Sequence, residues 1–309
     1  MLRWSAWILL LAAVACRLEA RADPVSLQAP VASPPDGVRV VERIKLDLGS
    51  IVGISGLTTD GRGRLWAVPE RDRFLVPLDL SGPRPGIAGV AVPLVGVPEG
   101  LDTESIGWVR DQVFVLGTES QVDRRGEDRV LLVRIADGQA KVFDQIVLPY
   151  DKFGLRPRGN QGLEGICVVG DVVVAGLESV VKSSSPRRAW LFRATLKDRV
   201  WEPFRLRLTT ATGKLSSLEC RAEGESLFAV GIERHYGVAR LLSFRIPLTG
   251  AGGDIEPTQL ADLGAQVPDL PNMEGIAWRK PGELVIVVDN DNGRITGPNE
   301  ALIVTGPGF

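Results

Sequence analysis

Apolar residues in this chain fall in short runs, such as Val113–Leu116, Val172–Ala175 and Leu284–Val288, separated by glycine, proline and acidic residues. Stretches with apolar residues at helical spacing are hard to find, so the pattern predicts many short strands joined by turns. Five segments repeat one plan: a small or acidic residue, then Gly or Ser, an apolar strand, a turn, and a second apolar strand ending on an acid. They run from Ser55 to Glu70, Glu104 to Glu119, Glu164 to Glu178, Glu219 to Glu233 and Glu274 to Asp289. First and last positions lie 14 or 15 residues apart, and successive units begin 49, 60, 55 and 55 residues apart. Units of that size, made of strand pairs with no helix between them, have the dimensions of four-stranded propeller blades. Val38 to Leu48 is an alternating run with no unit of its own, whereas the fifth unit has only three strands, the last being Ala301 to Thr305. Ring closure accounts for both: the N-terminal strand completes the C-terminal blade and hides edges that would otherwise pair with other chains. The expectation over residues 38–309 is an all-β, single β-propeller of five four-stranded blades, with six blades as the alternative.

Composition agrees, since 35 Gly and 21 Pro in 309 residues suit a turn-rich all-β chain. A formal net charge of −2 gives no basic surface for nucleic acid or for an anionic membrane. Arg3, the apolar stretch Trp4 to Ala15 and the triplet Ala20-Arg21-Ala22 read as an export signal over residues 1–22, cut before Asp23. That stretch is too short to span a bilayer comfortably. Ala13-Val14-Ala15-Cys16 resembles a bacterial lipoprotein box, which makes Cys16 a candidate lipidation site and the one expected membrane contact. Residues 23–37, rich in Pro, Ala and Ser, read as a flexible linker. The expected location is the periplasm, the cell envelope or the medium.

The repeat also gathers acids. In a blade the first strand runs beside the axis and the second returns, so the start of one and the end of the other share a mouth of the ring. Glu104, Glu164, Glu219 and Glu274 begin first strands; Glu70, Glu119, Glu178, Glu233 and Asp289 end second strands. All nine are therefore expected at one mouth, the first four nearest the axis. Carboxylates so close raise one another's pKa unless a cation sits among them, and a hard, oxygen-seeking ion such as Ca²⁺ satisfies such a set. Glu104, Glu164, Glu219, Glu274 and Asp289 are thus candidate metal ligands. Arg71, Arg234 and Arg294 partly offset the charge and are candidates for holding an anionic group. The competing reading makes each acid a pin that accepts hydrogen bonds from a neighbouring turn.

Other chemistries find little support. His235 is the only histidine, which excludes a multi-histidine zinc site, and no G-x-S-x-G elbow accompanies it. Following Glu233-Arg234, it is expected at the acidic mouth, as a proton carrier or as a polar strand end. Thr212-Gly213-Lys214 lacks the upstream glycine of a phosphate loop. Cys167 lies three residues after Glu164 and Cys220 one after Glu219. By parity both side chains leave the same face of their blades, so buried free thiols are expected rather than a bridge. Trp108 and Trp278, each four residues after a repeat glutamate, are expected to pack between blades.

The runs Gly162-Leu163-Glu164-Gly165-Ile166, Gly231-Ile232-Glu233-Arg234 and Met273-Glu274-Gly275-Ile276-Ala277, with Val288-Asp289-Asn290-Asp291-Asn292, resemble the esterase-like phytase propellers of bacteria over about residues 50–295. The resemblance implies ester or phosphoester hydrolysis, with Glu164, Glu233, Arg234, Glu274, Asp289 and Asn290 lining the site. Ser55 and Cys220 depart from the pattern, standing where other units have Glu and Gly or Ser. The leading expectation is a Ca²⁺-dependent phosphoester hydrolase in which Glu164 or Glu274 activates water and Arg71 or Arg234, with His235 and Asn290 nearby, holds a phosphorylated or other small-molecule substrate. The alternatives are a non-catalytic binding propeller of the cell envelope and a metal-dependent lactonase or sugar-ester hydrolase. Oligomeric state is not legible.

Overall fold

The computed structural model describes residues 37–181, 187–235, 237–269, 272–289, 299–307 and 309. The expected export signal, Cys16, the linker up to residue 36, Asn290 and Arg294 lie outside these residues. Strands dominate the described chain. β1 (Arg39–Lys45) comes first. It is followed by β2 (Ile54–Thr59), β3 (Leu65–Pro69), β4 (Phe74–Asp79), β5 (Gly86–Ile87) and β6 (Val92–Val95), then by β7 (Leu101–Arg110), β8 (Val113–Ser120), β9 (Glu127–Ala136) and β10 (Gln139–Pro149). Next come β11 (Gly165–Val169), β12 (Val172–Val181), β13 (Arg188–Thr195) and β14 (Glu202–Arg207), then β15 (Lys214–Glu223), β16 (Ser226–His235), β17 (Val238–Pro247), β18 (Asp254–Ile255) and β19 (Thr258–Asp262). β20 (Met273–Lys280), β21 (Glu283–Val288) and β22 (Glu300–Thr305) complete the set.

Burial tells inner strands from outer ones. β8 is buried at every position, as a strand covered on both faces must be, whereas β10 alternates between covered and exposed residues. Hydrogen bonding gives the orders β1-β22-β21-β20, β11-β12-β13-β14-β18 and β15-β16-β17-β19. The remaining sheet is two runs, β2-β3-β4-β6 and β7-β8-β9-β10, joined where β6 and β10 pair in parallel. β1 lies antiparallel to β22, from Arg39 opposite Thr305 to Lys45 opposite Glu300, so the first strand completes the last sheet. The innermost strands β2, β7, β11, β15 and β20 pack side by side in a closed ring. Each apolar cluster fills the gap between two neighbouring runs, as where Leu116 and Phe114 meet Trp66 and Val68. The architecture is all-β and propeller-like.

The inner strands approach so closely that side chains are excluded where they touch. A Cβ on Gly165 would lie 2.7 Å from that of Leu218, and one on Gly275 would lie 2.7 Å from the Leu57 nitrogen. This is the physical reason for the Glu-Gly-Ile runs: the residue after the acid sits where only a hydrogen fits.

One irregularity sets the register of the whole site. β2, β7, β15 and β20 are each bulged near their start, at Ser55, Glu104, Ser216 and the Glu274-Gly275 pair. Two residues before the bulge, Asp102 stands opposite Glu119 in β7–β8, and Lys214 stands opposite Arg234 in β15–β16. The fourth unit therefore begins at Ser216 and ends at Arg234, not at Glu219 and Glu233 as its acids suggest.

The cysteines follow from this frame. Cys167 and Cys220 are joined in a disulfide between β11 and β15, which corrects the expectation of free thiols. Counted from Glu164 and Ser216, the cysteines sit three and four residues on. Their parities are opposite, so they leave the two sheet faces that confront each other.

Candidate functional site

With the frame corrected, the bulged or leading positions of the inner strands are Ser55, Glu104, Glu164, Ser216 and Glu274. The ends of the second strands are Glu70, Glu119, Glu178, Arg234 and Asp289. Seven carboxylates and one guanidinium thus share a mouth, together with Asp102 and Lys214 from the strand starts. The hydroxyls of the inner register position and its neighbour tie the strands together there: Ser105 donates to the Leu163 carbonyl at 2.5 Å and Ser216 to the Met273 carbonyl at 3.0 Å.

The acids are buried, and several of their carboxylate oxygens lack a partner. Glu104, Glu119, Glu164, Glu178, Glu274 and Asp289 are all less than a tenth exposed. Lys214 Nζ meets Glu178 Oε1 at 3.0 Å, and Arg234 Nη2 meets Glu274 Oε1 at 2.7 Å. Arg234 is itself fixed by donating Nη1 to Asn272 Oδ1, whose amide in turn donates to Asp289 Oδ2 at 2.9 Å. That leaves Glu104 Oε1, Glu119 Oε2, Glu178 Oε2 and Glu274 Oε2 buried without a hydrogen-bond partner. Desolvation, then the charge of Glu119, Glu70 and Glu274, pushes the Glu104 carboxyl well above its usual range. Glu164 rises for the same reasons, with Glu104 the largest charge against it. Burial drives Glu119 and Glu274 up to about 8, the second held back by Arg234. Arg234 is pushed the other way from its burial penalty by Glu274, Glu178, Glu164 and Asp289, so it stays cationic.

Ligand geometry is best on one side of the mouth. One oxygen each from Glu70, Asp102 and Glu104 can lie within 4.8 Å of one another. Asp102 was not anticipated, although an acid two residues before Glu104 was there to be read. The donor set is all oxygen, which suits Ca²⁺ and not a thiolate or imidazole metal. The buried carboxylate oxygens without partners are the sort of orphans such an ion would satisfy.

Two expected participants, Glu219 and Glu233, stand elsewhere, and Arg71 and His235 are otherwise engaged or uncharged. Glu219 lies three residues past the bulge, paired with Val230. Its neighbours are Trp278, Trp108 and Arg221 near the far ends of the inner strands, and no acid of the mouth perturbs it. Glu233 turns away from the mouth. It accepts from the backbone N–H of Thr209 (2.8 Å) and Thr210 (2.9 Å) and from both hydroxyls. It is a turn pin, and a Cβ on Gly213 would collide with its carboxylate. Glu233→Gln is expected to cost about 3 kcal/mol of stability in urea unfolding while leaving cation affinity within about twofold. Arg71 is engaged with Glu70, Nε to Oε1 at 3.1 Å and Nη2 at 2.9 Å. His235 ends β16 opposite Val238; partial burial, then Lys214, Arg187 and Arg234, lower its pKa, so it is neutral at pH 7.

A support unforeseen in the sequence steadies Glu164. Arg125, buried, chelates Asp128 and donates to the carbonyls of Arg158 (2.7 Å) and Gln161 (2.8 Å). Tyr150 donates to the same Asp128. This network clamps the segment leading into Gly162-Leu163-Glu164, whose Gly162 carbonyl accepts from Glu178 N–H at 3.0 Å.

A family model described as phytase-like, esterase-like activity of phytase, matches residues 50–292. The chain belongs to the phytase-like family. The match spans every element of the acidic mouth described above. Curated protein sequences give no match. Among solved structures, a thermostable family-43 glycoside hydrolase is similar at 10% identity and a TM-score of 0.50, with 86% of this chain and 96% of that chain covered. A PQQ-bound aldose sugar dehydrogenase from Streptomyces coelicolor is similar at 15% identity and a TM-score of 0.48, covering 89% and 99%. For the phytase-like chain the glycoside hydrolase likeness bears on the fold alone.

Proposed function

We propose that this phytase-like protein is a Ca²⁺-dependent phosphoester hydrolase working at the acidic mouth, and that its runs form five blades closed by β1. The observation that carries the reading is the set of buried, unpartnered carboxylate oxygens around a fixed Arg234. Such a set is stable only if protonated or neutralised, and a site meant only for structure would pair its acids as Glu233 is paired. Glu70, Asp102 and Glu104 would hold the ion. Bound there, Ca²⁺ supplies charge neutralisation for the oxygens of the ester.

The protein groups divide the remaining tasks. Arg234, held by Glu274 and Asn272, presents its buried Nε, which has no acceptor, to an anionic substrate oxygen. Glu164 has no cation or hydrogen-bond donor on its carboxylate among the described residues; its raised carboxyl would ionise once a bound cation offset the neighbouring charges, and it would then be the group able to take a proton from water. Glu274 orients the arginine instead. Membership of a family named for esterase-like activity supports hydrolysis, and the Cys167–Cys220 disulfide supports export to an oxidising compartment.

The test is calorimetric titration of chelator-stripped protein with Ca²⁺, followed by assay of aryl phosphates and aryl carboxylates. Glu104→Gln is expected to weaken Ca²⁺ binding at least tenfold, and Glu164→Gln to lower turnover at least tenfold while binding the ion. If neither the wild type nor any variant binds Ca²⁺ or hydrolyses either ester, the acids are structural and the envelope-binding reading takes over.

A further inference from the structure

The ring has a second mouth, and it is of opposite character. A cavity of about 400 Å³ is lined by every innermost strand, through Thr58, Trp108, Val168, Glu219 and Trp278 among others. Thr59 donates to the Trp278 carbonyl and Trp108 N–H donates to Thr58 Oγ1 at 3.2 Å, which holds the floor strands in contact. Trp108 and Trp278 lie four residues along their strands from Glu104 and Glu274. At roughly 3.3 Å per residue, that separates this cavity from the acidic mouth by about 13 Å.

Its walls are aromatic and cationic. Arg221 stacks over Phe228 and Trp278 at 4.8 and 4.9 Å from the ring centres. A guanidinium stacked on aromatic rings keeps its N–H donors for other partners, and Arg221 makes no hydrogen bond or ion pair among the described residues. Arg279 and Lys280 meet Glu283 at 3.1 and 3.2 Å, and among the residues lining the cavity three cations, Arg221, Arg279 and Lys280, stand against the one carboxyl group of Glu219. Trp278 Nε1 is a buried donor with no partner. Glu219, whose carboxyl accepts a hydrogen bond from the Cys220 N–H at 2.9 Å and no other among the described residues, is driven to about 8 by desolvation. At neutral pH it therefore faces the cavity uncharged, as a donor. The Cys167–Cys220 bridge fixes the strand that carries it.

Unused donors, excess positive charge and aromatic faces together specify a ligand class. We propose that this cavity is a binding site for a small aromatic carboxylate, its ring against Trp108 and Trp278 and its carboxylate on Arg221. The indoles were expected to serve packing between blades; Trp278 does pack on Phe228 and Phe309, and it also presents its edge to the cavity. This site is independent of the acidic mouth and of Ca²⁺.

Calorimetric titration of the full protein with 2-naphthoate, and with its neutral amide, tests the assignment. Saturable binding of the acid is expected, with the amide and the Arg221→Gln variant each at least tenfold weaker and Glu104→Gln unchanged. Affinity is expected to fall from pH 7 to pH 9.5 as Glu219 ionises, and Glu219→Gln is expected to abolish that fall. The charged groups facing Glu219 are Arg221 on its own strand and Arg279 and Lys280 on β20; β2, β7 and β11 bring none. Arg279→Gln, which also removes a rim cation, serves if Arg221→Gln fails to fold. Absence of binding, equal binding of the amide, or loss of binding in Glu104→Gln would each overturn the proposal.

Discussion

Stripped of divalent ions, the protein is expected to melt at lower temperature as pH rises from about 5 to about 8, the reverse of most acid-rich proteins. The sign follows from the direction of the shifts. Glu104, Glu119, Glu164 and Glu274 all have carboxyl groups raised in the fold above their usual value near 4.5. A group raised in the folded state favours folding when protonated, and that support is lost as pH climbs from the unfolded value through the folded one. For one carboxyl held at about 8, the loss by pH 7 is about 3 kcal/mol. The acids are coupled, so their losses do not simply add. A fall on the order of 10 °C is expected between the two ends of the range. Saturating Ca²⁺ should reverse it, with the largest gain at pH 8, because the ion binds the ionised form. Glu219 adds an ion-independent share that Glu219→Gln removes. Differential scanning calorimetry in chelator at pH 5 and pH 8 decides the matter: a melting temperature that rises with pH would mean the acids are paired and not poised for a cation.

The second large effect concerns the disulfide. Cys167→Ala with Cys220→Ala is expected to cost about 4 kcal/mol, the chain-entropy value for a bridge spanning 53 residues. Urea unfolding measures it, and thiol titration of the denatured wild type should find both cysteines blocked. Because β11 and β15 are innermost strands, the loss falls on the ring itself. The variant should also bind 2-naphthoate less tightly, since Cys220 borders that cavity. Unchanged stability would mean that packing between the two sheets already fixes β15.

The acid and strand pattern of the chain was enough to predict the strands, their pairing in repeated units and the completion of the last sheet by β1. It misplaced one unit, and the errors over Glu219, Glu233 and the cysteines all descend from that. Acids alone align Glu219 with Glu104, but the bulge that defines the frame falls at Ser216. A clue was present: Ser216-Ser217-Leu218 matches Ser55-Gly56-Leu57 better than any glutamate run does. A bulge shifts side-chain parity by one, and nothing in residue type announces it. For the same reason Arg234, not Glu233, points into the mouth. Arg125 and Asp128 are three residues apart, but the clamp was illegible because Tyr150 and the Arg158 and Gln161 carbonyls reach them only through the folded path of the segment after β10.

The pairing of β1 with β22 also imposes an order in time. Of the strands in the ring, the first to leave the ribosome waits for β22, so the ring stays open until β22 has emerged. Closing so long a loop is entropically costly and slow. Until then the exposed edge of β22's sheet is an invitation to domain exchange between chains. A nascent chain truncated before Glu300 should therefore be the species that a chaperone holds.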